Sequence, residues 1–195
     1  MSQGPDHELL YRIAENQGGY FTSRQAAEAR FSWQRLSYHA KTGRFRRVSR
    51  GVYRLARFPA SRYEDLFVAW LRSGPNSAIS HESALAVYNL SDVLPGEIHV
   101  TVPRTASRRR HNVQLHTNRL ALDDMTWREG LRVTTVPRTI ADVTAAGIAE
   151  EVVRQAVLEA LGRGLTNRQS LEIDASRRGR RVEQVIRTIL QQVEE

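Results

Sequence analysis

The stretch Ser32–Leu55, SWQRLSYHAKTGRFRRVSRGVYRL, reads as a short helix running straight into a basic, two-stranded flap. Ser32 is placed to cap the helix, and Trp33, Leu36, the small Ser37 and Ala40 recur at helical spacing, which predicts one packing face. The opposite face carries Gln34, Arg35, Tyr38, His39 and Lys41, side chains that can hydrogen-bond, stack or neutralise a phosphate. Gly43 stops the helix, and Arg44, Arg46, Arg47, Arg50, Arg54 and Arg57 follow closely. Phe45, Val48, Val52, Tyr53 and Leu55 supply the apolar side of a hairpin that turns at Ser49-Arg50-Gly51. A recognition helix followed by a wing is the expectation for this stretch.

Working outward, Asp6 can cap an upstream helix with apolar positions Leu9, Leu10, Ile13 and Ala14, ended by Gly18-Gly19. Tyr20-Phe21-Thr22 is short and extended, suited to pair with the flap. Thr22 or Ser23 then caps a second helix reaching about Arg30, whose Ala26, Ala27 and Ala29 allow close helix–helix approach. Three helices and a hairpin within residues 1–58 have the order of a winged helix-turn-helix. The major groove of duplex DNA admits one α-helix, and its base edges bond to Arg, Gln and Asn. Arg and Lys on phosphates set position and supply salt-dependent affinity. Gln34, Arg35, Tyr38 and His39 are therefore candidate base-edge or groove contacts to double-stranded DNA. Ser23, Arg24, Lys41, Arg44, Arg46, Arg47 and Arg50 are candidate phosphate or minor-groove contacts. Tyr38 and His39 could instead pack at the helix edge.

Charge is concentrated in the same region. Residues 1–58 hold 11 Lys/Arg against 4 Asp/Glu, a net +7, whereas residues 59–195 hold 18 against 17, a net +1. A basic block beside a balanced remainder points to a local polyanion-binding surface. With 41% hydrophobic and 26% charged residues, the chain belongs with globular rather than disordered proteins. No stretch approaches the roughly 18 apolar residues a membrane span needs. The N-terminus has neither a basic n-region nor an apolar h-region, so a cytoplasmic location away from any membrane is expected. The absence of cysteine excludes disulfides, thiolate zinc sites and a Cys nucleophile.

Pro59-Ala60-Ser61 is read as a hinge to a second domain, residues 59–195. Tyr63 to Leu71 is amphipathic to apolar, Ala78-Ile79 is briefly extended, and Ser80 caps a helix carrying Ala84, Leu85, Val87 and Tyr88. Residues 97–102, 113–117 and 131–136 alternate with period two and predict half-buried strands. Arg104 to Asn112 is a basic loop. Helices are expected over 138–145, 149–161, 166–175 and 182–193. The fold class is thus α+β: an N-terminal winged helix-turn-helix, then a domain with a small β-sheet and several helices.

No catalytic machinery is spelled out. Ser80-His81-Glu82 are adjacent on a helix and point in different directions, and a capping role explains them. Asp123-Asp124 on a turn fits capping or solvation, and His111 and His116 flank a strand without an evident third ligand. The chain lacks HExxH, a Walker glycine loop and GxGxxG. Its one lysine, Lys41, lies on the recognition helix, away from any acidic cluster that would suit a nuclease. No catalytic residue, metal or cofactor is expected. Arg177-Arg178-Gly179-Arg180-Arg181 is a second basic cluster, suited to a solvated linker or to a further contact.

The segments GGYFTSRQAAEA (18–29) and RLSYHAKTGRFRRVSRGVYRL (35–55) resemble the N-terminal domain of the AbiEi family, antitoxins of type IV toxin–antitoxin systems. The family closes this domain with an Arg-Gly-Val-Tyr wing, here Arg50-Gly51-Val52-Tyr53. AISHESALAVYNL (78–90), EIHVTVP (97–103) and LRVTTVPRTIADV (131–143) are similar to segments of its C-terminal domain. The resemblance implies a repressor that binds repeated sites in its own promoter. It also implies an antitoxin opposing a nucleotidyltransferase-like toxin without forming a stable complex with it. Two other readings compete: an orphan winged-helix regulator with no toxin, and an interaction module whose basic hairpin meets an acidic protein.

Overall fold

The structure, a computed structural model, describes residues 4–92, 95–103 and 112–192. Most of the expected basic loop (104–111), with His111 in it, and Val193 at the end of the last expected helix lie outside them. The chain forms two compact units: residues 1–75 with 129–131, and residues 76–128 with 132–195.

In the first unit, α1 (His7–Glu15) begins where the Asp6 carboxylate accepts the Leu9 amide at 2.9 Å. That bond holds the Asp6 carboxyl below its ordinary range, helped by Arg30. After β1 (Tyr20–Thr22), Thr22 starts α2 (Ser23–Glu28) with a full capping box: its hydroxyl accepts the Gln25 amide, and the Gln25 side chain accepts the Thr22 amide. Arg30, at φ +62°, makes the turn into α3 (Trp33–Lys41), whose cap is Ser32. β2 (Phe45–Ser49) and β3 (Val52–Leu55) complete an antiparallel sheet in the order β1-β3-β2. Leu10, Phe21, Ala26, Phe31, Leu36, Phe45 and Tyr53 fill the core between helices and sheet. Phe21 meets Phe45 edge-on at 5.1 Å and stacks on Tyr53 at 5.8 Å.

The unit does not stop at the wing. In α4 (Glu64–Ser73), Phe67 is fully buried and stacks on Tyr20 at 4.5 Å, while the Tyr20 hydroxyl donates to Glu64 at 3.0 Å. Pro59-Ala60-Ser61 therefore falls inside this unit, and the division comes after Pro75.

The second unit is built on a five-stranded sheet in the order β6-β5-β4-β8-β7. Its strands are β4 (Ala78–Ile79), β5 (Ile98–Val102), β6 (Val113–Thr117), β7 (Met125–Arg128) and β8 (Leu131–Thr134). β4 runs antiparallel to β5 and parallel to β8, and β5 runs parallel to β6. The three alternating segments are all strands, joined by the two-residue β4 and by β7, which the sequence reading did not mark. β8 ends at Thr134, because Pro137 favours a helix start. The following helix, α6 (Val136–Ala146), thus begins before the expected Arg138.

α5 (His81–Tyr88), α7 (Glu150–Gly162), α8 (Arg168–Arg177) and α9 (Arg180–Gln192) complete the unit, with α6 packing against all four. Because α6 is covered on many sides, even its charged residues are buried, and they are paired. Arg138, 2% exposed, holds Asp124 at 2.7 Å and Asp142 at 2.9 Å, and Arg178 reaches Asp142 at 3.1 Å. Burial pushes the Asp142 carboxyl up to about 6, against the pull of Arg138. Of the Asp123-Asp124 pair, Asp123 is exposed, while Asp124 is a buried clamp that also accepts the Ala121 amide at 2.8 Å. The cluster Arg177–Arg181 is likewise partly structural, through the Arg178 pair.

Candidate nucleic-acid interface

The exposed surface of α3 is set by what its core side must bury. Ser32 Oγ accepts the Arg35 amide at 3.3 Å, and Leu36 and His39, three residues apart, point into the core. Trp33, expected on the packing face, is instead 63% exposed. One turn of helix offers room for one anchor per row, and Leu36 with Phe31 and Phe45 already fills it.

His39 was expected beside Gln34 and Arg35 on the reading face. It lies in an aromatic cage instead, 4.9 Å from the Phe45 ring, 5.8 Å from Phe31 and 5.8 Å from His7. Its Nδ1 is buried without a hydrogen-bond partner. Burial, followed by the nearby charges of Arg44, His7 and Arg35, holds its pKa below the ordinary histidine value.

What remains outside is a row at i, i+4 and i+7: Gln34, Tyr38 and Lys41, all exposed, with Arg35 and Trp33 on its two flanks. Tyr38 is 62% exposed, so its ring is free to stack or donate.

α3 leads into the wing through Gly43, at φ +75°, and packs against β2. Arg44, Arg46 and Arg47 are exposed on and before this edge strand, which is also bulged between Arg47 and Ser49. Ser49 pairs with Val52, leaving Arg50-Gly51 as the two-residue turn. The Ser23 amide donates to the Gly51 carbonyl at 2.9 Å, tying the start of α2 to the wing tip.

The candidate cations are not equivalent. Arg24 is held by Glu28 at 3.3 Å on its own helix. Arg35, Lys41, Arg44, Arg46, Arg47 and Arg50 are exposed and, among the described residues, have no ion pair. Arg54, in the same run of arginines, faces inward: it is 6% exposed and donates to the Phe58 carbonyl at 2.7 Å.

The second unit brings together three histidines whose grouping the sequence did not disclose. His81, at the start of α5, His99 on β5 and His116 on β6 each place one ring nitrogen within 4.8 Å of the others. His99 Nδ1 is 3.0 Å from His116 Nε2, and the His81 and His116 rings stack at 3.5 Å. Ser80, expected to cap α5 through its side chain, makes no such bond; its Oγ lies 3.0 Å from His81 Nδ1 and accepts from Thr101 at 2.8 Å. Glu82 Oε2 is 3.2 Å from His99 Nε2. Burial lowers the His81 pKa to about 3 and that of His116 to about 4, each reinforced by the neighbouring imidazoles. Burial lowers that of His99 as well, with Glu82 and Glu97 opposing. His116 therefore has two companion imidazoles, brought to it by strand register and not by proximity in sequence.

The geometry of the first unit is that of a winged helix-turn-helix. The sequence profile of a family described as "Transcriptional regulator, AbiEi antitoxin" matches residues 8–56, so this N-terminal region is similar to that family. The RV2827C protein from Mycobacterium tuberculosis, known from a crystal structure, shares the α+β fold with a TM-score of 0.56. That likeness covers 98% of this chain and 78% of the other at 12% identity, and it concerns the fold alone. No curated protein matches the chain. Among the described residues no helix is long and apolar enough to cross a membrane.

Proposed function

We propose that the chain is a DNA-binding autorepressor and antitoxin of the type IV kind. Residues 1–58 hold the reading elements, and residues 59–195 are the antitoxin-type part. The observation that carries this is the row Gln34-Tyr38-Lys41 with Arg35, exposed on one helix beside wing arginines that no carboxylate among the described residues pairs with. The AbiEi match over residues 8–56 supports it.

In this reading α3 enters the major groove of the chain's own promoter at repeated sites. Gln34 and Arg35 bond to base edges, Tyr38 stacks or donates, and Lys41, Arg44, Arg46, Arg47 and Arg50 hold phosphates or the adjacent minor groove. Ser23 and Arg24 contribute at the start of α2, Arg24 only after releasing Glu28. The protein acts in the cytoplasm, catalyses no reaction, and opposes a nucleotidyltransferase-like toxin without a stable complex.

The test is binding to the promoter duplex and to random duplex across a salt series. Affinity falls steeply with salt, by a slope of about −0.9 per phosphate contact in log–log form. Arg35→Ala narrows the gap between promoter and random DNA. Arg46→Ala or Arg50→Ala weakens both alike and reduces the slope by about 1. Equal affinity for the two duplexes, unmoved by Arg35→Ala, would sink the reading. A neighbouring reading frame without a nucleotidyltransferase would favour an orphan regulator, and a stoichiometric acidic partner an interaction module.

A further inference from the structure

The three histidines of the second unit come from three elements far apart in sequence that the fold brings together. β5 and β6 are parallel neighbours, with His99 opposite Gln114 and Thr101 opposite His116. Since alternate residues share a face, His99, Thr101 and His116 all emerge on one side of the sheet. α5 starts over that side: the Thr101 hydroxyl meets Ser80, and the His99 amide donates to Ser83 Oγ at 2.9 Å. His81 is held there at φ +51°, a left-handed conformation that costs a non-glycine residue about 1 kcal/mol or more. In that conformation its ring stacks on that of His116 at 3.5 Å.

From this arrangement we infer that His81, His99 and His116 form a binding site for one divalent transition ion of the zinc class. Three nitrogen donors are the ligand set of an open zinc site, with the fourth position left to water or another ligand. The donor chemistry excludes magnesium and calcium, which take oxygen. In a tetrahedral site the ring nitrogens stand about 3.3 Å apart. The observed spread of 4.8 Å thus closes by small ring rotations, with His81 and His116 tilting out of their stack.

The surroundings match what such sites carry. Glu82 Oε2 lies 3.2 Å from His99 Nε2, while His99 Nδ1 faces His116 Nε2 at 3.0 Å, so a carboxylate stands beside the ring nitrogen turned away from the cluster, as it does where carboxylates orient metal-binding imidazoles. Ser80 fixes Nδ1 of His81 and leaves Nε2 for the ion. An ion can enter by an open depression that His81 and His116 line together with Thr117, Asn118, Asp142 and Arg178. The site lies wholly within the second unit, and the inference is independent of the DNA-binding reading.

The experiment titrates the full chain, free of any polyhistidine tag, with Zn2+ by calorimetry and with Co2+ by visible absorption. One equivalent binds, with the intense d–d bands of a tetrahedral cobalt site, and excess Mg2+ does not compete. His99→Gln and His116→Gln, each checked for native far-UV dichroism, lower affinity at least 100-fold. Glu82→Gln lowers it roughly 10–100-fold. His7→Gln in the first unit leaves it unchanged. No saturable binding, or binding that survives both His99→Gln and His116→Gln, overturns the inference. A misfolded variant at one histidine leaves the test to the other and to Glu82→Gln.

Discussion

Two glycines of the first unit separate backbone strain from steric conflict. Gly19 sits at φ +88°, and a Cβ built there would lie 2.5 Å from both Cβ and Cγ of Phe58. Gly43 sits at φ +75°, but a Cβ there meets nothing within 4 Å. Gly43→Ala should therefore cost only the left-handed penalty, about 1–2 kcal/mol. Gly19→Ala should cost about 2–4 kcal/mol, because the atoms in the way belong to the root of a side chain and the backbone must move. Urea midpoints of the two variants check the order, and equal losses would show that Phe58 gives way freely. His39 makes a pH-dependent contribution of definite sign. Its pKa falls below 6.5 on folding, so the folded state prefers the neutral ring. The corresponding stability is fully present above pH 6.5 and is lost as the pH falls toward the folded pKa. An NMR titration should place the His39 midpoint below the ordinary value, and amide protection in α3 should weaken from pH 7.5 to 5.5. His39→Phe should remove that dependence while keeping the cage filled.

At the scale of elements, the two ends of the chain differ in how they were legible. α1, α2 and α3 announce themselves through local chemistry: Asp6, Thr22 and Ser32 cap them where they stand in sequence, and Gly18 and Gly43 end two of them. The wing is as local, since Arg50-Gly51 closes it in two residues. The side-chain directions were less so: Trp33 and His39 exchanged places because the competition for the core is settled by Phe31 and Phe45, neighbours in space. In the second unit β4 has two residues and gains its identity from β5 and β8. The histidine trio depends on the β5–β6 register, which no local pattern encodes. α9 shows what this means for testing the basic cluster before it. Ile186, Ile189 and Leu190 are each 2% exposed or less, so deleting residues 176–195 would open the core. Ile186→Ala alone should cost about 2–5 kcal/mol in a urea or thermal melt. Arg177→Gln with Arg181→Gln, which spares the Arg178–Asp142 pair, should cost little and so isolates any contribution of that cluster to DNA binding.

At the scale of the molecule, charge and folding divide the chain at different places. Seven of the eight net positive charges lie within residues 1–58, whereas the compact unit that presents them continues through α4 to Pro75. The reason is the Tyr20–Phe67 stack: both rings are fully buried, and Glu64 takes the Tyr20 hydroxyl proton bond. A fragment ending at residue 58 loses Phe67 and uncovers Tyr20 on the strand that pairs with the wing. A domain of that size buries only about 60% of the surface its unfolded chain exposes, less than a larger domain does, and has little stability to lose. The fragment 1–75 should therefore unfold cooperatively, and the fragment 1–58 should be less stable by about 3 kcal/mol or more. Both keep α3 and every wing arginine, so at a temperature where both are folded their affinities for promoter DNA should agree within a factor of two to three. Matching melting temperatures would show that α4 is an appendage. A lost affinity in folded 1–58 would show that it takes part in reading.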